Sequence, residues 1–506
     1  MIPVVSRRPR LLIFIVAYDA EKTIESVLSR IPAELNEAYE TEVLTIDDSS
    51  HDATFERAAT MRRSSSLPFP LHVLYNPVNQ GYGGNQKIGF EFAIQRDFDV
   101  VALLHGDGQY APESLPELVR PVAVGEADAV LGSRMLTEGG ARRGGMPLYK
   151  FVGNKILTRF QNAVLGASLS EFHSGYRVYS VAALRRVPFD LNTNDFHFDT
   201  EILIQFLGAG LHIAEVPIPT YYGDEICHVD GIKYAADVVK TTLNARVQSL
   251  GLLYHPRYEL EAPDHGRYEP KLDYPSPHMY ALEAVAPGSR VLDLGCAGGW
   301  LGAELRRRGC YVAGVDLAPL ADGIELDEFH LWDLDQGLPP IAVEDFDYVL
   351  MLDVIEHLHD PEGFLRELYG AAARAPGQRL VLSTGNIAFA ITRLLLLVGQ
   401  FNYGRRGILD MTHTRLFTFS TLRRLLDGAG FRVLRLDGVP APFPLALGSG
   451  PAARLLLRAN LAAIGFAKRL SSYQIFVVAE PRRSLERLLQ DAEVHAEART
   501  RQIEDA

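Results

Sequence analysis

Short apolar runs, each stopped by an acid or a glycine and separated by amphipathic stretches, recur along most of this chain. In the first half, "LLIFIVAY", "EVLTIDD", "LHVLYN", "DVVALLHG" and "DAVLGSR" are continuously apolar and read as buried strands. Between the first two, Ile24, Val27, Leu28 and Ile31 fall at helical spacing. The alternation predicts a mostly parallel sheet with helices on its faces. "YHPRYELEAPDHGRYEPKLDYPSPHMY" breaks the pattern with proline, tyrosine and charge, and reads as a linker. A second series follows: "RVLDLG", "YVAGVD", "FDYVLMLD", "QRLVLST", "FRVLRLD" and "YQIFVVAE". It predicts another α/β sheet, and the two series do not look like copies of each other. The charged end, "RRSLERLLQDAEVHAEARTRQIEDA", predicts a solvated helix or a frayed tail. The expected organisation is a tail over 1–9, a first α/β domain over 10–245, a linker over 246–275, a second α/β domain over 276–481 and a charged tail over 482–506.

Composition adds mainly exclusions. The 506 residues suit two or three domains, and 47% hydrophobic with 22% charged residues is ordinary for soluble globular chains. A net charge of −13 argues against broad nucleic-acid binding, which needs a basic face. Cys227, Cys296 and Cys310 lie at no metal-ligand or disulfide-framework spacing, so a reducing cytosol is the simple setting. "MIPVVSRRPR" lacks the apolar core of a signal peptide, and no run of about 18 apolar residues predicts a spanning helix.

The chemistry gathers where strands end, the edge at which open α/β sheets bind ligands. Asp19 follows the first strand, Asp47 and Asp48 the second, and Asp107 the fourth. One such carboxylate is ordinarily a cap or turn former. Three on one edge suit a site where a divalent metal and acids hold a departing diphosphate. In the second series, "RVLDLGCAGGWLGAEL" is a strand, a glycine-rich turn and a helix without the GxGxxG spacing. Asp316 ends the next strand, where an acid binds ribose hydroxyls in either a dinucleotide or an S-adenosylmethionine site.

"IVAYDAEKTI", "IDDSSHDAT", "NQGYGGNQKIGF", "HGDGQYAPE", "LGSR", "SEFHSGYRVYS" and "EVPIPTYY" come in the order of the motifs of family 2 glycosyltransferases. The chain over residues 10–245 resembles their dolichol-phosphate mannose synthase-like branch. The resemblance implies a GT-A fold, a nucleotide-sugar donor, a polyprenyl-phosphate or glycan acceptor, and a divalent metal (Mg2+ or Mn2+). It assigns Asp107 and Gln109 to the metal, and Asp19, Asp47, Asp48, Arg134 and Arg177 to the nucleotide-sugar. Guanidinium matches phosphate oxygens geometrically. Departures are Val16, Asp19 with Ala20, Asn85, and His105 at the first acid of the metal motif. An imidazole there would favour softer ions. "NDFHFDTEILIQ" offers Asp195, Asp199 and Glu201 as a general base for a hydroxyl acceptor, or simply as acids favoured at a helix start. His228 and Lys233 are candidate contacts for an acceptor phosphate, or parts of an ordinary polar loop.

"FHLWDLDQGLP", "FDYVLMLDVIEHLHDPEGFLREL", "RLVLSTGN" and "TFSTLRRLLDGAGF" separate the two cofactor classes. Residues 276–481 resemble class I S-adenosylmethionine-dependent methyltransferases, which implies a Rossmann-like seven-stranded fold. By that resemblance Asp293, Gly295 and Gly298 cradle the methionine end of S-adenosylmethionine, Asp316 its ribose, and Asp333 lies near the adenine. His357 and His413 are candidate bases for a hydroxyl acceptor, since histidine titrates near neutrality. Arg415 is a candidate substrate contact.

"PAARLLLRANLAAIGFAKRL", 451–470, inserts a helix between the last two strands. Arg454, Arg458, Lys468 and Arg469 fall within an arc of roughly 100° on it. A basic stripe on an apolar helix suits an anionic membrane surface, or a helix packed on the other domain with snorkelling arginines. "AFAITRLLLLVG" is a further apolar segment of the same kind. The expected protein is a cytoplasmic enzyme at the inner membrane face, moving a sugar with one domain and O-methylating with the other. A degenerate sugar-nucleotide-binding domain that regulates or localises an active methyltransferase, and a membrane-assembly scaffold, are the alternatives.

Overall fold

In the computed structural model, which describes residues 7–64, 67–137, 140–219, 230–249, 254–260, 272–373, 377–404, 407–447 and 450–482, each series forms its own seven-stranded sheet. The chain divides into one unit of residues 1–249 with 254–263 and another of 250–253 with 264–506.

The first sheet comprises β1 (Arg10–Ala17), β2 (Glu40–Asp47), β3 (Leu71–Tyr75), β4 (Val100–His105), β5 (Ala129–Ser133), β6 (Arg177–Ser180) and β7 (Ile213–Pro217). Their order is β3-β2-β1-β4-β6-β5-β7, with β6 antiparallel to both neighbours. Both faces are covered, which is why the strands read as unbroken apolar runs. Leu11, Ile13 and Ile15 face one core, and Leu12 and Phe14 face the other. Each fully buried side chain of this size contributes roughly 1.5–3 kcal/mol.

The second sheet comprises β8 (Arg290–Leu294), β9 (Tyr311–Asp316), β10 (Glu328–Leu331), β11 (Tyr348–Leu352), β12 (Arg379–Gly385), β13 (Phe431–Val439) and β14 (Gln474–Pro481). Its order is β10-β9-β8-β11-β12-β14-β13, with β14 antiparallel to β12 and β13. These are the GT-A and Rossmann-like class I arrangements that the two resemblances imply.

The expected linker needs correction. The helix Gly231–Ser249 runs past residue 245. Residues 254–260 pack on the first unit, where the Arg257 guanidinium pairs with buried Glu201 and the Arg257 carbonyl accepts from Gln205 Nε2 (2.8 Å). The inserted helix is present as Pro451–Ser471. Among the described residues no helix is long and apolar enough to cross a membrane. The charged tail beyond residue 482, together with Cys227 and His228, lies outside the described residues.

Candidate functional site

In both sheets the strand order reverses beside a central strand, between β1 and β4 and between β8 and β11. Crevices beyond the carboxyl ends at such points are where α/β sheets bind ligands.

In the first unit, register places Ala17 opposite Asp47 and Val16 opposite His105, so the predicted acids share one edge. Most of their oxygens are already engaged. Asp48 accepts from Asn76 Nδ2 (2.7 Å), Gln80 N (2.9 Å) and Gly81 N (3.0 Å), which clamps the glycine-rich loop to β2. Asp19 Oδ1 accepts from His51 N (2.8 Å). Asp47 Oδ1 accepts from Ser50 N (2.8 Å), while its buried Oδ2 has no hydrogen-bond partner among the described residues. Burial pushes the Asp47 carboxyl above its ordinary range. Asp107 Oδ1 accepts from Gln109 N (3.0 Å), which fixes the turn after β4. Thr23 Oγ1 ties that turn to the first helix by donating to Gly106 O (2.6 Å). Among the described residues no group of three or more His, Cys, Asp or Glu side chains gathers for a metal. Asp107 Oδ2 and the Gln109 side-chain carbonyl are hard oxygen donors. Such a pair suits an ion that keeps water and phosphate in its shell.

His105 is held by a chain of hydrogen bonds. Tyr82 Oη donates to Asp199 Oδ2 (2.9 Å), so its oxygen is left to accept from His105 Nε2–H (3.2 Å). The network thereby selects one neutral tautomer and leaves Nδ1 as the nitrogen lone pair. Gly175 makes room for the ring: a Cβ there would lie 2.5 Å from His105 Cε1 and 2.6 Å from Nε2.

Four expected roles are corrected here. Arg177 is 0% exposed and donates to Ser174 O (2.7 Å), Asp199 O (2.8 Å) and Phe172 O (2.9 Å). A guanidinium so occupied holds the fold and does not reach a phosphate. Arg134 is nearly buried; it pairs with Glu171 and donates to His173 O (3.0 Å), leaving little of it for a diphosphate. Asp199 is buried against Tyr82, Gln86 and Arg177. Glu201 is 0% exposed; it pairs with Arg257 and accepts from Thr193 N (2.6 Å). Neither acid stands ready to take a proton from an acceptor, because both are spent on internal charges. Asp195 is exposed, 3.7 Å from Lys233 Nζ.

The Glu171 cluster was not anticipated. Glu171 also accepts from Asn154 Nδ2 (2.8 Å), and Glu215 accepts from Ser170 N (2.8 Å) and Ser170 Oγ (2.6 Å). Burial alone would raise the Glu171 carboxyl, but the charge and hydrogen bonds of Arg134 outweigh it and hold it below the usual range. The sequence signal was a glutamate inside the motif "SEFHSGYRVYS".

In the second unit the strand-end acids are engaged as well, and the uncommitted atoms lie on the side chains beside them. Gly295, Ala297 and Gly299 all have positive φ, so the loop after β8 curls tightly. Asp316 accepts from Ala297 N (2.7 Å) and Ala318 N (2.9 Å), joining this loop to the end of β9. Burial and the nearby Asp316 charge push Asp293 up to about 7. Asp333 caps a short turn after β10 by accepting from Asp335 N (3.0 Å). Trp300 Nε1 is buried beside Gly298 with no acceptor among the described residues. A glycine cradle, an orphaned indole N–H and acids at successive strand ends fit a nucleoside-bearing cofactor.

After β11, Asp353 (φ 54°) accepts from Ser383 Oγ (2.7 Å) and Gln474 Nε2 (2.7 Å). Glu356 is buried, and burial with the Asp353 charge pushes it up to about 8. Its Oε2 has no hydrogen-bond partner among the described residues. The His357 and His413 rings meet edge to face, centroids 4.8 Å apart. Thr412 Oγ1 donates to Asp410 Oδ1 (2.7 Å), so it accepts from His357 Nδ1–H (3.0 Å). His413 Nδ1–H donates to the Ile408 carbonyl (3.0 Å). The free nitrogen of each ring is therefore Nε2. Burial, reinforced by His357, lowers the His413 pKa and keeps it an unprotonated base near neutrality. Arg415 is half-exposed, 3.6 Å from Glu362.

The glycosyl transferase family 2 model matches residues 12–187, and a methyltransferase domain model matches residues 267–436. An undecaprenyl-phosphate mannosyltransferase of Micrococcus luteus is 30% identical over 210 residues, covering 41% of this chain and 82% of that one. A ubiquinone biosynthesis O-methyltransferase of Xanthomonas campestris pv. campestris is 33% identical over 144 residues, covering 26% of this chain; this chain thus spans only 56% of that relative's length. Among solved structures, glucosyl-3-phosphoglycerate synthase of M. tuberculosis is 21% identical with a TM-score of 0.35, covering 51% of this chain and 83% of that one.

Proposed function

The chain belongs through its first unit to glycosyl transferase family 2 and carries a methyltransferase domain in its second, and on that premise we propose that it glycosylates a lipid phosphate and O-methylates a sugar of the same glycan. One observation carries the proposal. The acids and glycines marked by the motifs follow adjacent strands at the order reversal of each sheet: Asp47, Asp19 and Asp107 in one, Asp316, Gly295 and Asp353 in the other.

In the first unit a nucleotide-sugar lies over β1, β2 and β4, with Asp19 and Asp47 toward the nucleoside. Asp107 and Gln109 would hold Mg2+ or Mn2+, which would supply positive charge to a departing diphosphate. The burial of Asp199 and Glu201 favours an acceptor that brings its own charge. A polyprenyl phosphate does so and needs no base, whereas a sugar hydroxyl would need one. The name of the Micrococcus relative points the same way.

In the second unit Asp293, Gly295 and Gly298 receive the methionine end of S-adenosylmethionine, Asp316 its ribose, and Asp333 lies near the adenine. S-adenosylmethionine, when bound, supplies an electrophilic methyl group. His413 Nε2 takes the proton of the acceptor hydroxyl, while His357 and the Ile408 carbonyl fix the ring. Positioning supplies much of the remaining rate. Fusion raises the effective concentration of one product near the next site. We place the chain at the cytoplasmic membrane face, in contact through the helix Pro451–Ser471.

The test is a product assay. Full-length protein with Mn2+, a panel of nucleotide-sugars and polyprenyl phosphate should yield a glycosylated lipid. Asp107→Asn should lower that yield roughly 100-fold or more while leaving S-adenosylmethionine binding intact. Unchanged sugar transfer in Asp107→Asn would sink the metal reading. In cells lacking the protein, mass spectrometry should show lipid-linked glycans short of one hexose and one methyl group.

A further inference from the structure

The helix Pro451–Ser471 has two apolar faces where a docked surface helix needs one. One face is seated: Ala453 and Ile464 are buried, and Asn460 links Ala441 N (2.9 Å) to Ser471 O (2.9 Å). On the opposite side Leu455, Ala459, Ala462 and Phe466 recur at intervals of four, three and four residues, and all are exposed. Leu455 is 69% exposed and Phe466 96%. Arg454 and Arg458 flank this stripe.

The helix breaks at Ala467 (φ −137°, ψ 54°). Beyond the break Lys468 and Arg469 line a cavity of about 580 Å³ together with Arg423, Arg424 and Asp427. Asp427 accepts from Arg482 (2.9 Å), and Lys468 Nζ donates to Leu436 O (2.9 Å). Arg423, Arg424 and Arg469 make no side-chain hydrogen bond or ion pair among the described residues. Three uncommitted guanidinium groups thus share one cavity in a chain whose net charge is −13. The net charge repels an anionic surface, and this cavity gathers basic groups that attract one.

We propose that this cavity binds the phosphate of an anionic phospholipid headgroup, while the stripe from Leu455 to Phe466 lies in the acyl boundary of the same leaflet. This rests on the membrane position given above and adds to it a discrete headgroup site. Guanidinium forks match phosphate oxygens, and an exposed apolar helix face supplies the rest of the attachment.

Flotation of the full chain with vesicles tests it. Wild type should bind phosphatidylcholine vesicles doped with phosphatidylglycerol, not phosphatidylcholine alone, and release as salt rises. Arg423→Gln with Arg424→Gln should lower partitioning roughly 25-fold, about fivefold per charge. Phe466→Ser should also weaken it. Arg62→Gln with Arg63→Gln, the same loss of charge in the first unit, should change it little. All variants sit on exposed side chains and should keep S-adenosylmethionine binding and methyl transfer to a soluble acceptor. If wild type ignores phosphatidylglycerol, both the membrane position and the headgroup site fall. If wild type binds and the Arg423, Arg424 variant binds equally well, the site alone falls. If the cavity takes inorganic phosphate while vesicles stay unbound, the lipid source is wrong.

Discussion

The two units both commit their strand-end acids and differ in which atoms they leave free beside them. In the first, carboxylates after β1 and β2 and at the start of the helix Phe198–Gly208 are largely consumed by internal partners: Asp48 by a loop, Asp199 by Tyr82 and Arg177, Glu201 by Arg257. In the second, Glu356 Oε2, Trp300 Nε1 and both histidine Nε2 atoms have no hydrogen-bond partner among the described residues. Residue type and spacing therefore announce where chemistry can occur. Which atoms are free to perform it depends on partners that arrive from elsewhere in the chain.

The largest effect should come from an uncommitted atom. His413→Ala should slow methyl transfer roughly 10²- to 10⁴-fold, the usual worth of a general base, with S-adenosylmethionine affinity nearly unchanged by calorimetry. A rate within a few-fold of wild type would pass the role to His357. Arg177→Met attacks a committed group. Leaving Asp199 buried without its cation should cost about 3–5 kcal/mol in denaturant unfolding of the first unit. A loss below 1 kcal/mol would mean that the first unit's pairs are less committed than they look.

The units should also answer pH in opposite directions. Glu171, held low, contributes stability that is present above its unfolded value and lost as pH falls through its folded one, so acid weakens the first unit. Asp293 and Glu356, raised to about 7 and about 8, contribute stability that is full below their unfolded values near 4. That contribution is lost progressively as pH rises from about 4 through 7 and 8, so the second unit weakens between acid and neutral pH. Thermal melts across this range should show it, and Asp293→Asn should flatten the fall between about pH 4 and 7. The smallest effect is expected from Tyr82→Phe. It removes the hydroxyl between His105 and Asp199 for about 1 kcal/mol, a change of roughly fivefold in sugar transfer at most.

Much of the architecture was legible because buried parallel strands must be apolar on both faces, as Leu11 to Ile15 are. Three strands were not, and of these β7 was marked only by the motif "EVPIPTYY". β6 is only four residues, "RVYS", and its buried arginine disguises it. β10, "EFHL", lies at a sheet edge and is only partly covered. The placing of the candidate acids at strand ends was legible from the sequence. Their wiring was not, since Tyr82 meets Asp199 across 117 residues and Arg257 meets Glu201 across 56. No local pattern encodes such pairs.

The space behind His105 couples two positions. A Cβ at 175 would stand 2.5 Å from His105 Cε1, so Gly175→Ala obliges the imidazole to shift. A shorter side chain at 105 lifts that conflict, so Gly175→Ala should be better tolerated beside His105→Asp than alone.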